Sequence, residues 1–305
     1  MSSARPIDIG FGFDANYAPH TASVLASLVR HARGQRFRFT LLHAGVDRET
    51  RAKIEAVAPQ HDYHWCEIQD ADVPDIGDKR ISHISRATLF RLGLEKYAPA
   101  DCERILYLDS DISVLRDVRD LLAIDLEGHP VGAVIDAYLD PAEFAKQWKL
   151  EGEGAYFNAG VMVIDLAKVR AEKLFARAID LVGAQGIDMP YSDQDALNAL
   201  FWRRWKRFDP AWNIQRHMII PEGWRRPPAD RLPGAERPGI VHFMGPAKPW
   251  MPETWHPWSW AYWENLQRTP FLQEVAKKFG MSAYKRFRLH LRWLRRGPGR
   301  SFDIA

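Results

Sequence analysis

Arg104-Ile105-Leu106-Tyr107-Leu108 is apolar enough to be a buried strand, and it ends in Asp109-Ser110-Asp111. Two carboxylates at i and i+2 project from the same side of an extended backbone end, where two oxygen ligands suit a divalent cation. An ion held by so few protein groups keeps coordination positions open for a diphosphate, the usual service of Mg²⁺ or Mn²⁺ in nucleotide chemistry. The plain alternative is a turn, for which Asp-Ser-Asp is ordinary. A second polar group follows Ile7-Asp8-Ile9-Gly10-Phe11-Gly12-Phe13, where the chain continues Asp14-Ala15-Asn16-Tyr17. Asp14 and Asn16 can hydrogen-bond a base edge or a ribose, Gly12 lets a ring approach the backbone, and Tyr17 can stack on it. A helix cap and turn is the competing use of the same residues. Gly10-Phe11-Gly12 lies inside the strand with an acidic residue after it, so it is not the cradle of a dinucleotide pyrophosphate.

These groups need elements to position them. The pattern predicts a strand from Ile7, a helix from about His20 to Arg33, a strand from Phe37 to Leu42 and a helix from Arg48 to Val57. A strand around Tyr63 to Ile68, a polar loop to Lys79 and a helix from about Ile84 to Tyr97 then deliver the chain to the strand at 104–108. Further strands are expected at Val131–Asp136, Phe157–Ile164 and Ile240–Phe243, with helices from about Ala167 to Val182 and Asp193 to Trp202. Gly245-Pro246-Ala247-Lys248-Pro249-Trp250 must be an ordered loop, because its prolines forbid helix. Strands alternating with helices imply an α/β fold with a mostly parallel sheet, whose ligands sit beyond the carboxyl ends of the strands.

With 305 residues and 46% hydrophobic content, the chain can bury a large core. Cys66 and Cys102 form neither a disulfide framework nor a zinc knuckle, which fits a reducing compartment, and no targeting or membrane-spanning run is visible. A cytoplasmic location is the expectation. The net charge of +3 is unevenly spread: beyond Met281, Lys285, Arg286, Arg288, Arg292, Arg295, Arg296 and Arg300 face Asp303 alone. The body is therefore slightly acidic, which argues against a nucleic-acid partner.

Six segments occur in one order that resembles the family 8 retaining glycosyltransferases, specifically the bacterial lipopolysaccharide galactosyl- and glucosyltransferases, with glycogenin a more distant relative. They are Ile9 to Tyr17, His83-Ile84-Ser85 with Arg91, Leu106 to Asp111, Tyr156 to Val161, Tyr191 to Asp195 and His242 to Trp250, within about residues 7–265. The resemblance implies a GT-A type domain over about 1–280 that binds a UDP-hexose with Mn²⁺, its nucleotide-sugar half about 1–115 and its sugar and acceptor half about 116–265. It makes Asp109, Asp111 and His242 the metal ligands; carboxylate with imidazole suits Mn²⁺ better than Mg²⁺, which stays possible. Gly245 and Lys248 match the diphosphate clamp, Gly12, Asp14, Asn16 and Tyr17 the nucleoside positions, and His83 and Arg91 a segment beside donor sugar and phosphate. Asp136, Asn158, Asp193 and Gln194 match the residues that hold the sugar, whose hydroxyls pair with amide and carboxylate groups. For each the alternative is structural: a core histidine, a solvated lysine, a polar helix face, a turn or a helix cap.

The implied reaction moves galactose, or glucose, to a saccharide acceptor in lipopolysaccharide or cell-surface glycan synthesis, the acceptor being lipid-linked in one version. Retention through a covalent intermediate would need Asp193 or Gln194 as nucleophile; because an amide is a feeble one, same-face attack beside the departing UDP is the working expectation. Trp250, Trp255, Trp258, Trp260 and Trp263 crowd after the clamp, and Trp250 is the one expected to offer its face to an acceptor sugar. Tyr284, Phe287, Leu291 and Leu294 recur at helical spacing among the basic residues of 281–305, the pattern of an interfacial helix on an anionic membrane surface such as the cytoplasmic face of the inner membrane. Packing on the body or a disordered basic end is the alternative. Rival readings are a sugar-phosphate nucleotidyltransferase, a nonenzymatic saccharide-binding protein and a self-glucosylating glycogenin-like enzyme.

Overall fold

Short runs of apolar residues, nearly every position of which is buried, build a central sheet covered on both faces, as a parallel sheet requires. The computed structural model describes residues 5–32, 34–74, 86–184, 189–219, 238–252 and 256–296. Its strands are β1 (Ile7–Asp14), β2 (Phe37–Ala44), β3 (Asp62–Glu67), β4 (Arg104–Leu108), β5 (Ile112–Val114), β6 (Val131–Ile135), β7 (Phe157–Asp165), β8 (Trp205–Arg207), β9 (Ile214–Gln215) and β10 (Ile240–His242). Seven of them form one sheet in the order β3-β2-β1-β4-β7-β6-β8, all parallel except β7, which runs against both its neighbours. The sheet is thus mostly parallel, with helices on its faces, as the alternation of elements implies.

The single reversal matters for chemistry. Because β7 is antiparallel to β4, with Leu108 opposite Val161, the start of β7 lies at the same edge as the end of β4. Residues following β1, β4 and β6 and those beginning β7 therefore share one rim. A second sheet, β5-β10-β9, stands beside that rim; β10 is antiparallel to β5 and parallel to β9, so His242 faces Ile112 and the turn before it.

Several elements differ from the sequence pattern for identifiable reasons. The stretch expected as one helix up to Tyr97 is, in its described part, a 3₁₀ segment Arg86–Gly93 followed by a single α turn Leu94–Tyr97. It packs tightly on β1, so that a Cβ on Gly12 would come within 3.1 Å of Phe90 Cβ: the close approach that this glycine permits is that of the chain itself. The helix expected over 167–182 is two, Leu166–Glu172 and Leu174–Gly183, broken at Lys173 with φ +51°. The second start is stabilised from a distance, because Glu95 Oε2 accepts from the amides of Phe175 (2.7 Å) and Ala176 (3.3 Å). Strands β5, β8 and β9 and the helices Arg119–Leu122 and Pro141–Trp148 lie in stretches where no element was expected.

The helix Ala283–Arg296 forms as its spacing suggests. Arg286 lies over the Trp263 ring at 5.7 Å and His290 meets Trp260 edge-on at 5.2 Å, docking one side on the helix Ser259–Leu266. Tyr284, Phe287 and Leu294 remain exposed, three of the four large apolar side chains that are exposed among the described residues. None of the described helices is long and apolar enough to cross a membrane.

Leu106 is fully buried in β4, at the centre of the sheet. Leu106→Ala is expected to lower unfolding stability by about 2–5 kcal/mol, read from urea midpoints at constant m-value. A loss under about 1 kcal/mol would deny β4 its role as the rigid base of the rim.

Candidate active site at the carboxyl edge of the sheet

Asp109 and Asp111 leave β4 in a turn rather than along an extended end, and the turn feeds directly into β5. Two backbone bonds fix it: Asp109 N–H donates to Gly160 O (2.8 Å), and Phe243 N–H donates to Asp111 O (2.8 Å). The turn carries both carboxylates toward His242, whose Nε2 lies 3.2 Å from Asp111 Oδ1 and 3.7 Å from Asp109 Oδ2. One ligand atom from each of the three residues falls within 4.8 Å of the others, across 133 positions of sequence between Asp109 and His242. Turn chemistry and metal-ligand geometry, alternatives in the sequence, are both present.

The second oxygen of Asp109 is already engaged. Oδ1 accepts from Tyr107 OH (2.8 Å) and lies 3.2 Å from Arg91 Nη2, which turns Oδ2 toward the imidazole. Gly160 makes the convergence possible, since a Cβ there would stand 2.3 Å from His242 Cε1 and 2.7 Å from Asp109 Oδ2. The other nitrogen of His242, Nδ1, is 3.1 Å from Asn213 Oδ1. A ring nitrogen facing two carboxylate oxygens at these distances fits a bound divalent cation, and carboxylate with imidazole is a donor set that Mn²⁺ accepts. Burial pushes the Asp111 carboxyl up, but Lys248 and His242 more than offset this and hold it well below the usual carboxylate range. Lys248 is itself buried, its ammonium donating to Asp111 Oδ2 and to Phe243 O (3.1 Å).

A cleft of about 700 Å³ opens over this cluster. Gly12, Asp14, Asn16 and Tyr17 line one side of it. Asp14 Oδ1 accepts from the amides of Asn16 (2.9 Å) and Tyr17 (3.2 Å), so the turn expected as an alternative is realised at the cleft wall, while the helix from Ala18 begins without a side-chain cap. Gly245 and Lys248 line it beyond Asp109, Asp111 and His242; Gly245 has φ +78°, the left-handed conformation that favours glycine. His83 lies outside the described residues.

Asp136, Asn158, Asp193 and Gln194 form the remaining wall. Asp136 Oδ1 accepts from the amides of Tyr138 (2.9 Å) and Leu139 (3.2 Å), while Oδ2 accepts from Asn158 Nδ2 (3.1 Å) and Gln194 Nε2 (3.4 Å). Gln194 Oε1 accepts from Ala159 N–H (2.9 Å). Arg91 is buried beneath, bridging the two walls: its Nε is 2.8 Å from Asp193 Oδ2 and its Nη1 donates to Ala159 O (2.5 Å). Burial pushes Asp193 up to about 6 against the pull of Arg91, with Asp109 adding to the rise.

Trp250, expected to offer its face to a sugar, does not line the cleft. Trp250 is 3% exposed, its face stacked on His20 at 3.6 Å, and His20 Nδ1 meets Tyr262 OH at 2.7 Å, so the indole is core rather than a platform for sugar. Trp258 and Trp263 are likewise buried, and Trp255 lies outside the described residues. Asn213 and Tyr107, which contact His242 and Asp109, are not among the expected site residues; the one local signal for Asn213 is an amide between Trp212 and Ile214.

Residues 8–254 match the model of glycosyl transferase family 8. General stress protein A of Bacillus subtilis is 27% identical over 268 residues, covering 84% of this chain and 91% of that protein. The lipopolysaccharide 1,3-galactosyltransferase of Salmonella typhimurium is 24% identical, covering 82% of this chain and 74% of that one. The crystal structure of the galactosyltransferase LgtC in complex with donor and acceptor sugar analogs superposes with a TM-score of 0.76 at 28% identity, over 89% of this chain and 99% of that one. The fold is accordingly of the GT-A type.

The lack of room for a side chain at residue 160 allows a direct test of the cluster. Gly160→Ala is expected to weaken Mn²⁺ binding about ten- to hundredfold while keeping the native circular dichroism, because the methyl group displaces His242. Unchanged Mn²⁺ affinity, measured by calorimetry, would remove His242 and Asp109 from a common ion.

Proposed function

The chain belongs to glycosyl transferase family 8, and from that premise we propose that it is a retaining hexosyltransferase that uses a UDP-hexose. UDP-galactose is the first choice of donor and UDP-glucose the second, and the acceptor is a saccharide of lipopolysaccharide or another cell-surface glycan. The observation that carries this reading is the convergence of Asp109, Asp111 and His242 beside Lys248, facing a wall of amides and carboxylates in one cleft. In this reading Asp109, Asp111 and His242 would hold Mn²⁺, with Mg²⁺ the poorer fit. Bound there, the ion would neutralise the leaving diphosphate.

The chain's own groups do the rest. Gly12, Asp14, Asn16 and Tyr17 bind the nucleoside, His83 and Arg91 support the sugar–phosphate region, and Gly245 and Lys248 receive the charge that grows on the diphosphate. Asp136, Asn158, Asp193 and Gln194 orient the hexose. Neither candidate nucleophile is suited to covalent attack: Asp193 is 2% exposed and paired to Arg91, and the Gln194 oxygen already accepts from Ala159 N–H. This supports same-face attack, in which the acceptor hydroxyl enters beside the departing UDP, whose phosphate takes its proton. Gln194 then stabilises the oxocarbenium-like centre.

The proposal extends to placement. Residues 1–280 act as the catalytic unit on the cytoplasmic face of the inner membrane, and 281–305 as a peripheral anchor. Tyr284, Phe287 and Leu294, exposed beside Lys285, Arg288 and Arg292, support docking on anionic lipid.

With Mn²⁺ and no acceptor, slow UDP release is expected from UDP-galactose first and UDP-glucose next, stopped by a chelator. No release from any UDP-hexose would refute the activity. Gln194→Ala is expected to lower turnover about hundredfold, with no glycosyl adduct in the intact mass of the native enzyme; an adduct on Asp193 or Gln194 would overturn same-face attack. For the tail, chain stopped at Gly280 should lose co-sedimentation with anionic vesicles that the full chain retains at low salt, and equal binding would end that assignment.

A further inference from the structure

The cluster of metal-ligand geometry is joined to the sugar wall by a buried line of amides, and its orientation can be worked out from one backbone group. Gly160 N–H, which can only donate, gives its hydrogen to Asn158 Oδ1 (3.1 Å). That fixes which end of the Asn158 amide is oxygen, so the Asn213 group 2.9 Å from the same Oδ1 must be its NH₂. The remaining end of Asn213 is therefore oxygen, and it faces His242 Nδ1 at 3.1 Å, where it can only accept. His242 must then carry a proton on Nδ1, which makes Nε2, the nitrogen facing Asp109 and Asp111, the one that can offer a lone pair to a cation. At the other end Asn158 Nδ2 donates to Asp136 Oδ2 (3.1 Å), so every dipole in the line runs from the imidazole to that carboxylate. Asn213, Asn158, Asp136 and His242 are all buried, so water does not substitute for these bonds.

The same short segment braces Asp136 by a second route. Gln215, fully buried, accepts at Oε1 from Ala137 N–H (2.9 Å) and donates from Nε2 to Ile135 O (2.8 Å), clasping the backbone on both sides of Asp136. The segment Asn213–Gln215 thus links His242 on β10 to Asp136 after β6, with the Asn213 amide turned to the first and the Gln215 amide to the backbone beside the second.

We propose that Asn213 is a positioning residue that fixes the Nδ1–H tautomer of His242 for cation ligation and, through Asn158, ties that ligand to the sugar-holding carboxylate Asp136. The inference rests on the metal site of the proposed function. It follows the general rule that the second nitrogen of a ligating histidine needs a partner to set its tautomer and orientation.

The test is Mn²⁺ binding to the full chain without any donor, read from the electron paramagnetic resonance of free Mn²⁺. Asn213→Ala is expected to keep one binding site per chain and the native melting transition, and to weaken affinity about ten- to hundredfold. A role in packing alone would instead lower the number of competent sites at unchanged affinity, and that result would overturn the proposal. Asn213→Asp, which keeps an oxygen toward Nδ1, should bind at least tenfold tighter than the alanine form; equal weakness of the two would also overturn it. Should the alanine variant not fold, ¹⁵N-histidine spectra of the native chain saturated with Mg²⁺ decide: a protonated Nδ1 supports the assignment and a protonated Nε2 sinks it. Failure of the native chain to bind Mn²⁺ at all would refute the metal reading of the function itself, a result distinct from native binding that Asn213→Ala leaves unchanged.

Discussion

Two carboxylates turned toward one point inside a protein repel one another unless positive charge stands among them. The chain supplies part of that charge. Lys248 donates to Asp111, and Arg91 reaches both Asp109 and Asp193. Three acids against two cations still leave a negative balance at the point His242 Nε2 faces, and the local charge is therefore set to attract a cation. A divalent ion would reverse the sign, and a cluster that is net positive, open to a cleft and adjacent to a lysine is what a diphosphate requires. The burial of His242 and Asp111 raises the stakes, because screening by water is weak there.

The fold meets this constraint through direction rather than proximity in sequence. Were β7 parallel to β4, its carboxyl end instead of Asn158 would reach the rim; reversed, it presents Asn158, Ala159 and Gly160 directly opposite the end of β4. Those three residues each serve the site in a different manner: Asn158 by its side chain, Ala159 by its N–H to Gln194 and its carbonyl to Arg91, and Gly160 by having no side chain at all. The small second sheet does the complementary task. Pairing β10 with β5 seats His242 against the Asp109–Asp111 turn, and adding β9 brings the Asn213 amide to the far side of the imidazole.

Local pattern carried six of the seven strands of the central sheet because each is a run of five or more residues bounded by turns, and periodicity likewise carried the first helix and the tail helix; β8, with three residues at the sheet edge, is too short to show. The acid pair and the polar residues after β1 were visible as charged groups at strand ends, and His242 came through the ordered set of motifs. What local pattern could not carry depends on distant partners. Strands β5 and β9 have three and two residues, too few for periodicity, and exist because β10 pairs with both. The break at Lys173 depends on Glu95, nearly eighty positions earlier, capping the new helix. Trp250 was misread because an aromatic next to a polar loop has the same composition whether it faces a ligand or, as here, a buried histidine. Gly160 in the sequence suggests a turn, whereas in the sheet it is the gap through which an imidazole fits.

Arg91 shows why the two walls of the cleft cannot be treated as independent. Its guanidinium lies 4.9 Å above the Tyr107 ring, and Tyr107 in turn donates to the same Asp109 oxygen that Arg91 contacts. On its other side it holds Asp193, the first residue of the helix Asp193–Leu200, whose next residue is Gln194. That helix begins after Ser192 with φ +47°, a strained conformation for a residue with a side chain, which persists where surrounding contacts over-determine it. Tyr156 OH to Asp195 (2.6 Å) and Asn198 to the backbone of Phe157 supply those contacts. A change of charge at Asp109 is thus felt at Asp193 through one shared cation, and a shift of the helix is felt at the Asp109–Asp111–His242 cluster by the same path. Groups coupled in this manner act as a unit, and the effect of removing any one of them includes the misplacement of the others. Polar residues buried at such a junction are retained for geometry, since burying a bridging arginine between two carboxylates is a weak source of stability.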